Sequence, residues 1–416
     1  MNAEYFQARR SALVELIKKA HPQQSGVVVL FASYEQPRYR FWQDSTFYYF
    51  TGLAYEPGTV LAIELDGASV LYLPTFTGNR SQWVVETAAC TTEMARLHGF
   101  VDIRPLGDPQ AGYATNQNFT QKTHRCALEY VEKVLAQNNS WYVSRYPSAN
   151  NYANNYSFKR WCSWKPDFVE RAVNISPLIA RMRRKKDAIE LGNIQKAIDI
   201  TIKAHNAAQN MMRPGISESV VEAALGQEIH AAGARHSFPP IVASGARGTI
   251  LHYEHNNATM QDGDLLVIDS GASWEGYAAD ISRTFAVSGT FTKRQCYVYN
   301  KVLETQQHVF DSIKPGMWLS NKDQPNASLH HIACAYLKRY DLEQYFVHGI
   351  GHFLGLDVHD VGDGSEPLAE GDIITLEPGI YIRDENIGVR IEDNVHVTSN
   401  GATMLSEALP RCINTL

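Results

Sequence analysis

The segment from Asp264 to Phe285 constrains the fold most, because it places two carboxylates inside strand-like apolar sequence. Apolar and β-branched residues flank a turn-rich centre, a pattern that predicts a β-hairpin. With Trp274-Glu275 at the tip, a symmetric register sets Asp269 opposite Asp280. Opposed side chains have Cβ atoms roughly 4.5–5.5 Å apart, so two like charges there need a cation or a shared proton. The hairpin therefore predicts a metal site.

A second hairpin with the same property is predicted between residues 375 and 397. Its polar tip, Asp384-Glu385, sets Glu377 opposite Glu392, although Pro378-Gly379 allows a bend in the first strand. Between the two hairpins a glycine-rich stretch carries three histidines, which are His348, His352 and His359. Glycine permits close backbone approach there.

The two hairpins and the histidine-rich stretch together supply four carboxylates and an imidazole as candidate metal ligands. These ligands are Asp269, Asp280, His352, Glu377 and Glu392. The set is too rich in carboxylates for a structural zinc site and suits two divalent ions, with manganese as the first expectation and cobalt or zinc as alternatives. Two ions about 3.5–4 Å apart can activate water and polarise a carbonyl. The predicted chemistry is metal-assisted hydrolysis.

Composition excludes several other classes of protein. The chain has 416 residues, 44% of them hydrophobic, and a net charge of -6, which gives no basic footprint for nucleic acid. The basic run at 183–186 is interpreted as a solvated helix start. No apolar run approaches the length of a membrane span. Six scattered cysteines without CxxC spacing fit reduced thiols, and we expect a cytoplasmic protein.

Alternation of strand-like and helical stretches predicts an α/β domain over residues 1–175, followed by a second domain over 176–416. The Asn-, Tyr- and Trp-rich stretch at 150–164 is interpreted as a loop at an interface or domain edge.

The second domain contains a weak internal repeat of two helices followed by a strand. Arg213-Pro214-Gly215 divides the helices of one copy, and Lys314-Pro315-Gly316 divides those of the other. The strands are predicted at 240–242 and 346–347. Because each copy is followed by a carboxylate hairpin, pseudo-two-fold packing would bring the acidic pairs together.

Several motifs in combination resemble the pita-bread metallopeptidases, specifically aminopeptidase P and prolidase. They are HGIGHFLGLDVHDVG, DLLVIDSGASWEGYAADISRTF, TLEPGIYI and VRIEDNV, and RFWQDSTFYYFTGL resembles the family's N-terminal creatinase-like domain. The resemblance implies an N-terminal creatinase-like α/β domain followed by a pita-bread catalytic domain (an α+β fold). It implies that Asp280 and Glu392 bridge two metal ions, that Asp269 binds one, and that His352 with Glu377 binds the other.

The resemblance also implies roles for residues around the metal ligands. His252 is similar to a histidine that hydrogen-bonds the substrate, His359 to one that stabilises the tetrahedral intermediate, and Glu377 to the acceptor of the nucleophile's proton. The residues similar to those of the proline pocket are His348, Tyr381 and Arg390. The expected partners are proline-containing peptides and further copies of the chain, as a dimer or tetramer, with no nucleic acid and no membrane.

Three alternatives remain beside an Xaa-Pro aminopeptidase. Prolidases often carry a longer insertion between the positions of Glu377 and Glu392, so the short connection here favours aminopeptidase P. A different hydrolase on the same fold, such as a creatinase, or an inactive domain that binds peptides or histones would typically lack several of the metal carboxylates. All of them are present here.

Overall fold

The structure, a computed structural model, describes residues 1–412 except 23–24, 36–39, 85–87, 113–121, 139, 146–156, 158, 160–161, 164–165, 167–169, 171, 363 and 365. Most of the stretch at 150–164 therefore lies outside the described residues. The chain divides into two compact units, Met1–Arg183 and Arg184–Leu416. None of the helices in the described parts is long and apolar enough to cross a membrane. All six cysteines are described, and each is a free thiol.

The first unit is an α/β structure. Its helices are α1 (Ala3–Ala20), α2 (Ser45–Thr51), α3 (Thr92–Leu97), α4 (Lys122–Val134) and α5 (Ser176–Arg184). Its strands are β1 (Gly26–Phe31), β2 (Val60–Glu64), β3 (Ser69–Leu73), β4 (Asp102–Pro105), β5 (Ser140–Val143) and β6 (Ala172–Asn174). They form one mixed sheet in the order β4-β3-β2-β1-β5-β6.

Burial of the sheet explains why the central strands are continuously apolar. All six residues of β1 are buried, and β1 pairs antiparallel with β2 and parallel with β5. A strand covered on both faces reads as a run of Val, Leu and Phe rather than as an alternating pattern. The α/β architecture predicted for this part of the chain is confirmed.

All of helix α5 except its last residue belongs to the first compact unit, which ends at Arg183. Two contacts explain this. Tyr49 donates its hydroxyl hydrogen to the carbonyl of Met182 at 3.2 Å, and Arg183 donates to Thr46 Oγ1 at 3.4 Å. Both bonds attach the end of α5 to α2.

The second unit contains two helix pairs and a set of short antiparallel strands. The helices are α6 (Ala188–Met211), α7 (Glu218–Ala231), α8 (Lys293–Phe310) and α9 (Leu329–Lys338). The strands of the first half are β7 (Arg235–His236), β8 (Ile241–Ser244), β9 (Leu265–Ser270), β10 (Ala272–Trp274), β11 (Tyr277–Ala278) and β12 (Ile281–Ala286). Those of the second half are β13 (Ile373–Leu376), β14 (Gly379–Ile382), β15 (Ile387–Arg390), β16 (Asp393–Val397) and β17 (Ala402–Met404).

The two halves repeat the same plan, as the internal repeat predicted. Each helix pair packs on its own hydrophobic cluster, one containing Leu225 and Ile268 and the other Val302 and Val395. The turns between the paired helices also match, because Gly215 and Gly316 have φ of 86° and 90°. A side chain with a Cβ is strained in that region, which explains the glycine in both copies.

One predicted strand of the repeat is wrong. Residues 346–347 form no strand; a 3₁₀ turn, Glu343–Tyr345, precedes them, and β13 instead makes a single bridge between Ile374 and Phe353. Backbone contact explains the position of this bridge. A Cβ on Gly351 would lie 2.1 Å from the carbonyl oxygen of Thr375, so the glycine-rich stretch lies directly against β13.

The register of the second hairpin agrees with the sequence prediction. Gly379 pairs with Arg390 in the β14–β15 ladder, and Leu376 pairs with Asp393 in the β13–β16 ladder. Both pairs follow the predicted register about the polar tip. Glu377 and Glu392 stand at the same level, in the gap between these ladders.

The register predicted for the first hairpin is wrong. The tip is Glu275-Gly276, one residue later than expected, and Asp269 pairs with Ser282. Both tip residues have positive φ, 49° and 81°, as a tight hairpin turn requires, and glycine at the second position suits it. Asp280 lies two residues before Ser282 and is therefore a diagonal neighbour of Asp269 on the same face.

Candidate metal centre

The two aspartates of the first hairpin are buried close to other acidic side chains. Asp269 lies near the end of β9 and Asp280 directly before β12, and they are 8% and 5% exposed. Within the described part of the chain, the Oδ1 atom of each is buried without a hydrogen-bond partner. Burial, followed by the charges of Asp269 and Glu377, raises the pKa of Asp280 well above its ordinary value. Such oxygens fit a cation.

The glutamates of the second hairpin add two more carboxylates. Ser282 donates its hydroxyl hydrogen to Glu392 Oε2 at 2.8 Å, and Thr375 donates to Glu377 Oε1 at 3.4 Å. Burial, with repulsion from Asp280 next, raises the pKa of Glu392 well above its ordinary value. Burial also raises the pKa of Glu377. Four carboxylates thus converge where charge is disfavoured without a cation.

His352 presents a lone pair to these carboxylates. Its Nδ1 lies 3.0 Å from the carbonyl oxygen of Phe353, and because a carbonyl only accepts, Nδ1 is the protonated nitrogen. Nε2 then carries the lone pair and lies 3.4 Å from Asp280 Oδ2 and 3.7 Å from Glu377 Oε1. This tautomer is the one that a metal-binding imidazole needs.

Three of these residues form a candidate ligand set by distance as well as by chemistry. One ligand atom each from Asp280, His352 and Glu392 lies within 4.8 Å of the other two. Asp269 and Glu377 act electrostatically on the same carboxylates. The residues present therefore fit divalent metal, with oxygen donors predominating and one imidazole.

Arg390 is buried behind the acidic cluster. Its side chain donates from Nη2 to Asp269 Oδ2 at 2.6 Å, from Nε to Ser282 Oγ at 2.8 Å and from Nη1 to the hydroxyl of Tyr381 at 2.9 Å. The residue is 5% exposed. Each of its three nitrogens is thus bonded within the protein, and the guanidinium fixes one aspartate and one tyrosine.

His348 and Tyr381 continue this chain of hydrogen bonds outward. His348 Nδ1 donates to the Gly349 carbonyl at 2.8 Å, so its Nε2 accepts from the Tyr381 hydroxyl at 3.0 Å. Burial, reinforced by the charge of Arg390, lowers the pKa of His348 to about 4. Burial raises the pKa of Tyr381 to about 12. Both groups are therefore neutral near pH 7, and together they form a rigid aromatic pair.

His359 and His252 are both exposed to solvent. The ring of His359 stacks on His352, with centroids 3.9 Å apart and planes at 11°. Although His359 as a residue is exposed to solvent, partial burial of its stacked ring, followed by the proximity of His352 and His252, lowers its pKa to about 4. His359 is therefore a neutral imidazole near pH 7, able to donate one N–H. His252 is exposed, in the segment that follows the 3₁₀ turn Gly245–Thr249.

A buried ion pair anchors the loop that carries His359. Lys186 Nζ lies 3.0 Å from Asp360 Oδ2, and both side chains are only 1% exposed. The backbone of Lys186 also bonds to Gly371, and that of Asp360 to Phe353. The pair thus ties the residue after His359 to the segment before α6.

Replacing Lys186 with Met is expected to lower the melting temperature by roughly 10 °C, because removal of one partner of a buried ion pair costs about 3–5 kcal/mol. Differential scanning calorimetry measures the shift. Lys203→Met is the matched control, since Lys203 is exposed on α6. A shift equal to that of the control would show that the buried pair contributes nothing to stability.

Two supporting residues escaped the sequence analysis. Ser282 bonds both Glu392 and Arg390, and Thr375 bonds both Glu377 and the backbone N–H of His352. Each lies two positions from a candidate ligand, Ser282 after Asp280 and Thr375 before Glu377. The strand period of two places such neighbours on the same face, and this was the available signal.

Comparisons with known proteins show which family the chain resembles. The model of metallopeptidase family M24 matches residues 192–399, and that of the aminopeptidase P N-terminal domain matches residues 6–108. The chain is 31% identical over 445 residues to an Xaa-Pro aminopeptidase of Escherichia coli, covering 98% of this chain and 96% of that protein.

Solved structures resemble the chain over nearly its whole length. The structure of proline aminopeptidase P II from Yersinia pestis matches with a TM-score of 0.80 and 28% identity, covering 100% of this chain and 98% of the other. The structure of Escherichia coli aminopeptidase P with the inhibitor Pro-Leu matches with a TM-score of 0.79 and 29% identity, covering 99% and 96%.

Proposed function

The chain belongs to metallopeptidase family M24, and from this membership we propose that it removes the N-terminal residue from peptides with proline in second position. The protein is a metallo-exopeptidase. The observation that supports the proposed reaction most is the convergence of Asp280, His352 and Glu392, with ligand atoms within 4.8 Å of one another. Asp269 and Glu377 complete the proposed set.

The proposed cofactor is a pair of divalent ions, manganese first, with cobalt or zinc as alternatives. Asp280 and Glu392 would bridge the ions, Asp269 would bind one, and His352 with Glu377 the other. When bound, the ions supply Lewis acidity for hydrolysis of an amide. The raised pKa values of Asp280 and Glu392 support this assignment, because buried carboxylates in repulsion gain most from a cation.

Glu377 is the proposed acceptor of the nucleophile's proton. A general base works best when its pKa approaches the operating pH, and burial raises the pKa of Glu377 from its ordinary value. Thr375 donates to one of its oxygens and so orients the carboxylate. His359 and His252 are proposed to act on the substrate, where a neutral N–H of His359 would donate to the oxygen that gains charge.

The proposed selectivity for proline follows from the tertiary amide, which has no N–H for recognition by strand pairing. A pocket of defined shape replaces that recognition. His348 and Tyr381 have ring centroids 5.4 Å apart, and Tyr381 is held by Arg390. We assign these three residues to the proline pocket. Arg390 holds Tyr381, which forms part of the pocket wall, and also holds the neighbouring Asp269.

The far side of this pocket is proposed to be open. Only β14, the 3₁₀ turn Arg383–Glu385 and β15 connect Glu377 to Glu392. Val347, directly before His348, is 61% exposed, so no part of the chain that the structure describes covers it. A peptide could therefore continue beyond proline, which favours substrates of three or more residues over dipeptides.

We expect kcat/KM for Ala-Pro-Ala to exceed that for Ala-Pro by about tenfold, the effect of roughly 1.4 kcal/mol of additional contact in the transition state. Steady-state kinetics with both peptides measures the ratio. Ala-Ala-Ala is the control for proline selectivity, and its hydrolysis should be at least about tenfold slower than that of Ala-Pro-Ala.

A ratio well below one would make the enzyme an Xaa-Pro dipeptidase (prolidase). No hydrolysis of either proline peptide by fully metallated protein, combined with peptide binding, would instead support the inactive binding module. The proposed assembly is a homodimer or homotetramer, and the proposed location is the cytoplasm. Sedimentation and fractionation test these two expectations.

A further inference from the structure

A buried glutamate outside the acidic cluster, Glu218, gathers an unusual number of hydrogen-bond donors. It begins α7 and is 0% exposed. Its Oε1 accepts from the backbone N–H of Ser244 at 2.8 Å, from Ser244 Oγ at 2.7 Å and from Arg247 Nε at 3.2 Å. Its Oε2 accepts from the Tyr253 hydroxyl at 3.0 Å and from the backbone N–H of Ala258 at 2.9 Å. All five donors belong to one segment, residues 244–258.

This segment carries His252. Tyr253 is buried to 8% exposure while His252 next to it is exposed, so anchoring Tyr253 sets the direction in which the chain presents the histidine. Asn256 anchors the following turn, accepting from the Val242 N–H at 2.9 Å and donating to the Pro240 carbonyl at 2.8 Å. The segment is thus attached to the core on either side of His252.

The other end of the segment lies against the strand of the proline pocket. A Cβ on Gly388 would lie 1.9 Å from the carbonyl oxygen of Gly248, so the 3₁₀ turn Gly245–Thr249 touches the β15 backbone. Arg390 is the last residue of β15. The β15 backbone therefore limits movement at this end of the segment, and a shift of the remainder would move His252.

We propose that Glu218 is a positioning residue for the hydrolytic reaction: its carboxylate holds residues 244–258 so that His252 is presented to the substrate. The inference rests on the proposed function, in which His252 hydrogen-bonds the substrate. Glu218 makes no contact with substrate in this scheme and acts through His252.

The segment requires the two acceptor oxygens of Glu218, and a side chain of the same volume does not replace them. An ionised carboxylate offers only acceptors, and here all five partners are donors. Glu218→Gln keeps the volume of the side chain but replaces one oxygen with an NH₂ group. The donors that were bonded to that oxygen then have no acceptor. The variant should loosen the segment without touching the proposed metal ligands.

Glu190→Gln is the matched control for a general effect of altering a buried glutamate. Glu190 lies on α6 at 2% exposure, and it accepts from the Tyr277 hydroxyl at 3.0 Å and from the Asp187 N–H at 3.1 Å. Both of these partners, Tyr277 and Asp187, lie outside residues 244–258. Its replacement should lower thermal stability and leave turnover within about twofold of the parent.

The experiment is a double-mutant cycle between Glu218→Gln and His252→Ala, measured on fully metallated enzyme with Ala-Pro-Ala. Metal content is determined for each variant. His252→Ala should lower kcat by about 10²–10³, and Glu218→Gln by about tenfold or more with a smaller change in KM. In the His252→Ala background, Glu218→Gln should change kcat by less than about twofold, because the residue through which it acts is gone.

An equal effect of Glu218→Gln in both backgrounds, or no effect on kcat in either, would overturn the positioning role. Unchanged turnover in His252→Ala alone would instead contradict the proposed role of His252, a separate failure. If Glu218→Gln does not fold, Tyr253→Phe replaces it in the same cycle, since it removes one donor and keeps the ring. That variant should lower kcat about threefold or more in the parent, and an equal loss in the His252→Ala background overturns the proposal.

Discussion

Replacing Asp280 or Glu392 with Ala is expected to remove both bound metal and activity, with kcat/KM lower by about 10³ or more. A metal pair contributes several kcal/mol to catalysis, and each 1.36 kcal/mol is a factor of ten in rate. These two residues would bridge the ions, so each substitution affects both metal sites. Elemental analysis and kinetics on the same remetallated samples measure the two losses together.

Asp384→Ala is the matched control, because Asp384 is an exposed carboxylate at the tip of the hairpin that carries Glu392. It should keep two ions per chain and full activity. Either bridging variant with full activity would exclude a bridge at that position. A stoichiometry near zero for the remetallated parent would end the dinuclear proposal as a whole.

Removal of the Asp280 charge should not unfold the protein. The pKa of Asp280 is raised in the folded protein, so in the absence of metal its ionisation opposes folding as pH rises above the ordinary pKa of an aspartate. At pH 7 the isosteric Asp280→Asn variant removes that penalty. In the presence of a chelator it should therefore melt at the same temperature as the parent or higher.

The second hairpin shows how much of such a site sequence alone can locate. Glu377 and Glu392 were placed opposite each other by alternation about a polar tip, and the ladders on both sides of them have that register. The register predicted for the first hairpin was wrong by one residue, because the turn depends on two positive φ angles, at Glu275 and Gly276. Asp269 and Asp280 nevertheless lie on the same face of the hairpin, because Asp280 is a diagonal neighbour of Asp269.

Contacts between distant segments could not be predicted in the same way. The sequence assigned Arg390 to the proline pocket only by resemblance and gave no sign that its three nitrogens bond Asp269, Ser282 and Tyr381. Lys186 was interpreted as part of a solvated basic run, and it is buried against Asp360. Neither partner follows from local periodicity, because tertiary packing decides which polar groups meet.

The other large expected effect is that of His359→Ala, which should lower kcat by about 10²–10³ while metal content stays at the parent level. His359 stacks on the candidate ligand His352 without adding a ligand atom to the closest metal-binding group. With a pKa of about 4, it donates a neutral N–H near pH 7. Such a donor stabilises charge as it develops on the substrate oxygen, so its removal affects turnover more than binding of the ground state.

The control for this prediction is His255→Ala, an exposed histidine in the same segment as His252 that has no proposed role. It should change kcat by less than about twofold. If His359→Ala lost metal in proportion to activity, its imidazole would be supporting His352 through the stacked rings rather than acting on substrate. If kcat were unchanged, the ring would be structural. Only a loss of kcat with full metal content supports a hydrogen-bond donor that acts on the substrate. The proposed metal ligands are intact in His359→Ala, so the interaction that is lost is one made in the transition state.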